Sequence, residues 1–293
     1  MLSVIIATKD RAPLLARALC SLQRQRVAVP FEVIVVDNGS SDDTASLIAA
    51  RRATAPFPLR SLFVGEPNRA AARNAGIAAA SQPVVVFVDD DVWLPEGFLA
   101  AHAAAQRRAH PRAVSGPILN VPSYEARPRP TLLNYSNAFF CTCNVSVPRA
   151  SLLALGGFDA RFNLYGWEDT ELGLRLRRSG VRRAFAWNAY LYHIKPPAGE
   201  SFDVVLGKTV ERATMAVRLL ERDRSWRTRL ATGAYAANLW RARVVMPRWA
   251  LDLYGRLAND ERFPRALRRF ARSQLLDGAY TATLQRLVGE ARR

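Results

Sequence analysis

Val84-Val85-Val86-Phe87-Val88-Asp89-Asp90-Asp91 sets the architecture expected for the whole chain. Its five apolar residues are too few for a typical helix and suit a strand buried on both faces. That strand runs directly into three carboxylates. Adjacent anions repel one another, so a fold holds them best where solvent or a bound cation screens the charge. If strand geometry persists through the triplet, Asp89 and Asp91 share one face and Asp90 takes the other. Two hard oxygen ligands at the carboxyl end of a buried strand suit Mg²⁺ or Mn²⁺, with phosphates completing the shell. An isolated acidic triplet reads more simply as a turn that ends the strand, and the rest of the chain decides between the two.

Upstream, Leu2 to Ala7 reads as a strand followed by the loop Thr8-Lys9-Asp10-Arg11. Pro13 suits the first turn of a helix carrying Leu14, Leu15, Ala18, Leu19 and Leu22. Phe31 to Val36 gives a second strand, ending in the polar cluster Asp37-Asn38-Gly39-Ser40-Ser41-Asp42-Asp43-Thr44. A helix from about Asp43 to Arg52, a strand at Leu59–Val64 and an Ala-rich helix at Asn68–Ala80 follow. Strands alternating with helices predict an α/β fold, a mostly parallel sheet covered on both faces. Ligands of such sheets bind beyond the carboxyl ends of the strands. Asp37, Asp89 and Asp91 all fall there, which favours the ligand-binding reading of the triplet.

Neither GxGxxG nor GxxxxGK[ST] follows the first strand, so a dinucleotide dehydrogenase and a P-loop ATPase are both poorly supported. Phosphate binding falls instead to a metal and to arginines such as Arg69 and Arg73. Downstream, a helix is expected from Pro95 to about Arg108, with His102 and His110 solvated. Single strands are expected at Ala113–Val121 and Ala184–His193, and a strand pair within Tyr135–Val147. Pro122–Pro130 reads as a surface loop. Glu168 and Asp169 open a helix after an aromatic-glycine loop that includes Gly166 and Trp167. Acidic residues in a first helical turn are explained by the dipole alone, and Trp167 could equally be a core anchor or a platform for a sugar ring. His193, at the end of an apolar strand, is as suited to a structural role as to completing a metal site with the two carboxylates.

At 293 residues, 49% hydrophobic and 23% charged, the chain can bury a real core. Its net charge of +17 is uneven: residues 201–293 hold 19 Lys+Arg against 9 Asp+Glu. Cys20, Cys141 and Cys143 are too few and oddly numbered for a disulfide framework. Cys141 and Cys143 would point the same way on one strand, as reduced core residues suited to a cytosolic compartment. No stretch is long and apolar enough to suggest a membrane span, and a cytoplasmic protein, able to sit peripherally on the inner face of the cell membrane, is expected.

These residues together resemble the family 2 glycosyltransferases of GT-A fold. The resemblance spans about Leu2 to Pro197. Its motifs are Ser3–Thr8, Val35–Thr44, Ala72-Arg73-Asn74-Ala75-Gly76, Phe87–Asp91 and Gly166-Trp167-Glu168-Asp169, in that order. It implies a nucleotide-sugar-binding half over 1–112 and an acceptor-binding half over 113–200; beyond them, the charge and apolar pattern of 201–293 are expected to form a basic helical region. Asp37 would hydrogen-bond the nucleobase, with Ala7, Thr8, Arg11, Arg69, Arg73, Asp89 and Asp90 also around the nucleotide sugar. Asp89, Asp91 and His193 would bind Mn²⁺ or Mg²⁺. Asp169 would be the catalytic base with Glu168 in support, and Gly166 and Trp167 would meet the acceptor. Ala7 stands where many members have proline, and Lys9-Asp10 replaces a common Tyr-Asn.

The implied reaction is inverting, metal-dependent transfer from a nucleotide sugar, expected to be a UDP-sugar, to a glycan or glycolipid hydroxyl of a polysaccharide or cell-envelope pathway. A sugar-1-phosphate nucleotidyltransferase is disfavoured by the absent Gly-rich loop. A non-catalytic glycan-binding or membrane scaffold is disfavoured by Asp89, Asp91 and Asp169, which a scaffold does not need. The basic region, with Trp249 and Tyr254 among its arginines, is expected either to pack as a helical cap or to contact an anionic membrane surface. No nucleic-acid recognition module is visible.

Overall fold

The computed structural model describes residues 1–136, 140–196 and 199–290, the side chain of Arg248 excepted. They form two compact units, Met1–Asn163 with Glu168–Gly199, and Leu164–Trp167 with Glu200–Arg293.

The first unit begins β1 (Leu2–Thr8), α1 (Ala12–Gln23), β2 (Phe31–Asp37), α2 (Thr44–Thr54), β3 (Leu59–Phe63), α3 (Arg69–Ala79) and β4 (Val84–Val88). It continues through β5 (Val92–Trp93), α4 (Phe98–Gln106), β6 (Arg112–Ser115), β7 (Ile118–Val121), β8 (Asn144–Pro148) and α5 (Arg149–Ala154). α6 (Glu168–Arg178), β9 (Arg182–Phe185) and β10 (Leu191–Ile194) complete it. A seven-stranded sheet runs β3-β2-β1-β4-β8-β6-β9, and a three-stranded sheet runs β5-β10-β7. The large sheet is parallel except at β8, which pairs antiparallel with β4 and β6. Alternate residues of β1, β2 and β4 feed opposite cores. Val4, Ile6, Val33, Val35, Val86 and Val88 pack on one face, and Ile5, Ile34, Val36, Val85 and Phe87 on the other. The apolar runs predicted to be buried on both faces are buried on both faces.

Each residue of Arg73-Asn74-Ala75-Gly76 in α3 has an identifiable physical role, Ala75 packing against the core on this face of the sheet. A Cβ on Gly76 would lie 2.6 Å from Cγ2 of Ile5, so glycine lets the helix press onto β1. Asn74 exchanges two hydrogen bonds with the backbone of Phe158, and Arg73 turns toward the carboxylates described below. Asn68 caps the helix by accepting from the N–H of Ala71.

Two predicted strands are each broken. Ala113–Val121 divides into β6 and β7, and Ala184–His193 takes in the second half of β9 and most of β10; both breaks carry the chain from the large sheet to the small one. The breaks meet at Gly116, where an added Cβ would lie 1.9 Å from the carbonyl oxygen of Ala189. β-Prone residues on both sides hide the break, but the backbones cross too closely for any side chain. Asn144 fastens the crossing by donating to the carbonyls of Pro117 and Ala189.

His102 is fully buried, not solvated. With the Asn144 amide nitrogen committed to two carbonyls, its Oδ1 accepts from His102 Nε2, and His102 Nδ1 accepts from Ser146. Burial, against the Asn144 hydrogen bond, lowers its pKa to about 4, so the ring is neutral near pH 7. His110 is exposed. Cys141 and Cys143 precede β8 in a turn closed by Asn144 N–H to the Cys141 carbonyl, so they do not share a strand. Of the predicted strand pair in this region, residues 137–139 lie outside the described residues, and β8 is the strand found.

The second unit comprises α7 (Phe202–Arg222), α8 (Trp226–Thr232), α9 (Ala236–Val245), α10 (Arg248–Asn259) and α11 (Arg265–Glu290). α7 and α11 pack through Ala216, Val217 and Leu284. No helix among the described residues is long and apolar enough to cross a membrane.

Candidate active site

β4 ends at Val88, and the three aspartates form a bend before β5 instead of continuing the strand. Strand alternation therefore does not govern them. Thr8 at the end of β1 donates to Asp90 Oδ2 at 2.7 Å, and Arg11 Nη1 reaches both Asp90 Oδ1 at 3.0 Å and Asp91 Oδ2 at 3.2 Å. Asp90 is buried; burial, offset in part by Arg11 and Thr8, pushes its pKa up to about 6. Burial also acts to raise Asp91, but His193 and Arg11 outweigh it and the carboxyl is lowered overall.

The small sheet delivers His193. β10 runs antiparallel to β5 with His193 opposite Val92, which sets its Nε2 3.1 Å from Asp91 Oδ1. That oxygen is buried and makes no other contact of this kind among the described residues. The antiparallel turn of β8 brings its amino end beside the carboxyl end of β4, with Asn144 opposite Val88. Donor atoms of Asp89, Cys143 and His193 consequently lie within 4.8 Å of one another. Burial raises the Cys143 thiol well above its ordinary value, so it is a poor ligand for a hard cation. The oxygens of Asp89 and Asp91 with the His193 imidazole make a donor set that fits Mn²⁺ or Mg²⁺.

A second group gathers on Arg73. Its Nη1 is 3.1 Å from Glu168 Oε1 and 3.8 Å from Asp169 Oδ1, and its Nη2 is 3.8 Å from Asp89 Oδ1. Its guanidinium also faces the ring of Phe158, 5.6 Å from the centroid. Burial disfavours its charge, but Asp169, Glu168 and Asp89 more than compensate, and Arg73 stays protonated. Glu168 and Asp169 open α6, whose first turn also holds Glu171. Thr142, just ahead of β8, donates its N–H and hydroxyl to Asp169 Oδ2 at 2.8 and 3.0 Å. Asp169 Oδ1 is buried and accepts no hydrogen bond among the described residues. Burial raises Asp169 to about 6, Arg73 opposing and Glu168 and Asp89 adding to the rise.

Of the residues singled out from sequence, Thr8, Arg11, Asp90, Asp91 and His193 form one group, and Arg73, Asp89, Glu168 and Asp169 form the adjoining one. Ala7, half-buried, precedes Thr8 at the same strand end. Asp37 stands on the neighbouring strand end, where its Oδ1 accepts from the N–H of Ser40. The departure at Asp10 has a local use: in a left-handed backbone, it accepts from the N–H and hydroxyl of Ser41 and so ties the loops after β1 and β2. Arg69 is exposed, one turn before Arg73. In the other unit, Trp167, also left-handed, donates its indole N–H to the carbonyl of Arg212 at 2.9 Å, and the Arg212 guanidinium lies over its ring. Gly166 lies against the same arginine. Thr142 and Cys143 escaped sequence reasoning, because their place depends on the antiparallel run of β8.

Residues 3–151 match the family described as glycosyl transferase family 2. The chain belongs to that family. A second description, N-terminal domain of galactosyltransferase, matches residues 129–197. Among curated relatives, validoxylamine A glucosyltransferase of Streptomyces hygroscopicus subsp. jinggangensis is 32% identical over 225 residues, 62% of this chain and 52% of that protein. Chondroitin synthase of Escherichia coli is 26% identical over 258 residues, 71% of this chain and 37% of that protein. The chain spans about half the length, or less, of the curated relatives it matches first. Among solved structures, mannosyltransferase PcManGT from Pyrobaculum calidifontis in complex with GDP-Man and Mn²⁺ is 20% identical, with a TM-score of 0.62 over 97% of this chain and 86% of that one. S. aureus TarS 1-349 in complex with UDP-GlcNAc is 18% identical, with a TM-score of 0.59 over 99% and 92%. This family 2 glycosyltransferase has the GT-A fold of those structures.

Proposed function

We propose that this glycosyltransferase moves a sugar from a nucleotide sugar, a UDP-sugar in the first instance, to a hydroxyl of a glycan or glycolipid acceptor with inversion. The observation that carries the proposal is Asp169 Oδ1, a buried carboxylate oxygen without a hydrogen bond among the described residues, in a group whose pKa is raised to about 6. Thr142 holds the other oxygen and fixes the carboxylate, leaving Oδ1 to take the acceptor's proton. A base with a pKa near the working pH suits that step, which is typically worth about 10²–10⁴-fold. Arg73 offsets the charge of the base, and Glu168 holds Arg73 in place at 3.1 Å.

Donor binding falls to the edge formed by Ala7, Thr8, Arg11, Asp37, Asp89 and Asp90, with Arg69 and Arg73 on the adjoining helix. Asp89, Asp91 and His193 would hold Mn²⁺ or Mg²⁺, which when bound offsets the charge of the departing nucleoside diphosphate. One base and no enzyme nucleophile favour a single displacement. The structural neighbours, complexed with GDP-Man and Mn²⁺ and with UDP-GlcNAc, support a nucleotide-sugar donor and a divalent ion.

A screen of nucleotide sugars with Mn²⁺, following free nucleoside diphosphate, tests the proposal. Turnover of one donor, lost in Asp91→Ala, is the expected result. Neither turnover nor nucleotide binding across the panel would overturn it.

A further inference from the structure

The helical unit carries a surface that the transfer chemistry does not use. α8 presents Trp226 and Leu230, α9 presents Trp240 and Val244, and α10 presents Trp249 and Leu253. In each helix the two residues are four apart and share a face. All six are exposed, the tryptophans by 66%, 67% and 69%. A single exposed apolar side chain needs no explanation, but the same pair repeated on three successive helices does. Packing within the unit uses other residues. Ala242, Met246, Ala250 and Ala258 are buried, and Gly278 of α11 lets Leu251 and Met246 approach closely.

The charge around these pairs is one-sided. α8, α9 and α10 contain six arginines and one acidic residue, Asp252. Arg227, Arg229, Arg243 and Arg256 are exposed and make no ion pair among the described residues. The Arg227 guanidinium lies 5.4 Å from the ring centre of Trp226. Nearby acids are already engaged: Asp223 with Thr228, Asp277 with Arg241 and Asp260 with Arg262.

We propose that the tryptophan-bearing faces of α8, α9 and α10 together rest on an anionic lipid surface, with the tryptophans at headgroup level, the aliphatic partners just below and the arginines against the phosphates. Tryptophan favours that boundary because one end of the ring is apolar and the other donates a hydrogen bond. Arginine is drawn to the negative surface potential of such a leaflet. A second copy of the chain would bring two like-charged faces together. A nucleic acid would answer the arginines and could stack on the rings, but it gives Leu230, Val244 and Leu253 nothing to bury against. The seat is interfacial, in keeping with helices too short or too polar to cross a bilayer.

Flotation of the full chain with phosphatidylcholine vesicles, with and without about one third phosphatidylglycerol, tests this directly. The full chain should float with the anionic vesicles at low salt, and much less with neutral vesicles or at high salt. The triple variant W226A/W240A/W249A should lose at least about tenfold in partition at unchanged charge. Each of R229Q, R243Q and R256Q should weaken only anionic binding, by about fivefold. Brominated lipid should quench the tryptophan fluorescence of the unaltered protein, a readout that needs no variant. Failure to float with anionic vesicles at low salt would overturn the proposal, as would equal flotation of the triple-tryptophan variant. A dimer that dissociates in that variant, or a single-stranded oligonucleotide that displaces the vesicles while the variant still binds it, would also overturn it.

Discussion

Arg11 and Arg73 each face more than one carboxylate, in contrasting surroundings. The side chain of Arg11 is 42% exposed and bridges Asp90 and Asp91, while that of Arg73 is 11% exposed and faces Asp89, Glu168 and Asp169. A half-exposed guanidinium can turn to another anion because water solvates the cation as it moves, and Thr8 continues to donate to the buried Asp90. A buried one cannot, since the cation itself and the buried Glu168 would be left uncompensated in low dielectric. Arg11 therefore has the character of a ligand-responsive cation, suited to meeting a phosphate. Arg73 has the character of a fixed counter-charge that keeps three acids together and opposes the rise in Asp169's pKa.

The largest effect separating the two groups is catalytic. Asp169→Asn should lower kcat by about 10²–10⁴-fold while leaving calorimetric donor binding nearly intact. Undiminished turnover would remove Asp169 from the chemistry and dissolve the contrast. Next comes stability: Arg73→Ala strands buried carboxylates and should cost about 3–5 kcal/mol in urea unfolding. The same readout for Arg11→Ala should move less, by about 1–3 kcal/mol, since the arginine itself is half-exposed and Thr8 still donates to the buried Asp90. Equal losses would mean that the difference in exposure has no energetic meaning. In donor titrations the order reverses, and Arg11→Ala should weaken nucleotide-sugar binding by about tenfold, the scale of one charged hydrogen bond.

The pH profile gives a finer test. Asp169 is raised, so it gains its proton early as pH falls; kcat should decline on the acid side with an apparent pKa of about 6, where an ordinary aspartate would hold activity to near 4. A profile flat to pH 5 would show that the base is another group, or that Arg73 dominates its environment.

Much of this arrangement was legible in the chain. Valine-rich runs ending in Asp37 and Asp89 could only be buried strands opening on a polar edge, and the alternation with helices fixed that edge as shared. The Glu168-Asp169 pair and His193 were singled out as chemistry only by the family resemblance, since a helix dipole and a structural histidine explain the residues taken alone. His102 was not. In the Ala-rich helix after Pro95 it looks like a surface residue, and only the partner strand, carrying Asn144 and Ser146, accounts for its burial. Thr142 was hidden for the same reason, since strand direction is a tertiary property. The two strand breaks were hidden because sheet-prone residues continue across them, and the steric conflict at Gly116 comes from Ala189, far along the chain.

That crossing also acts as the tolerance of the site. Asp89 leaves the large sheet and His193 belongs to the small one, and the strands that feed the two sheets touch where Gly116 meets Ala189, backbone to backbone. The spacing between two prospective ligands of one ion is thus gauged by an absent methyl group. A methyl there would act as a shim, moving His193 off its mark without altering any residue that a ligand touches.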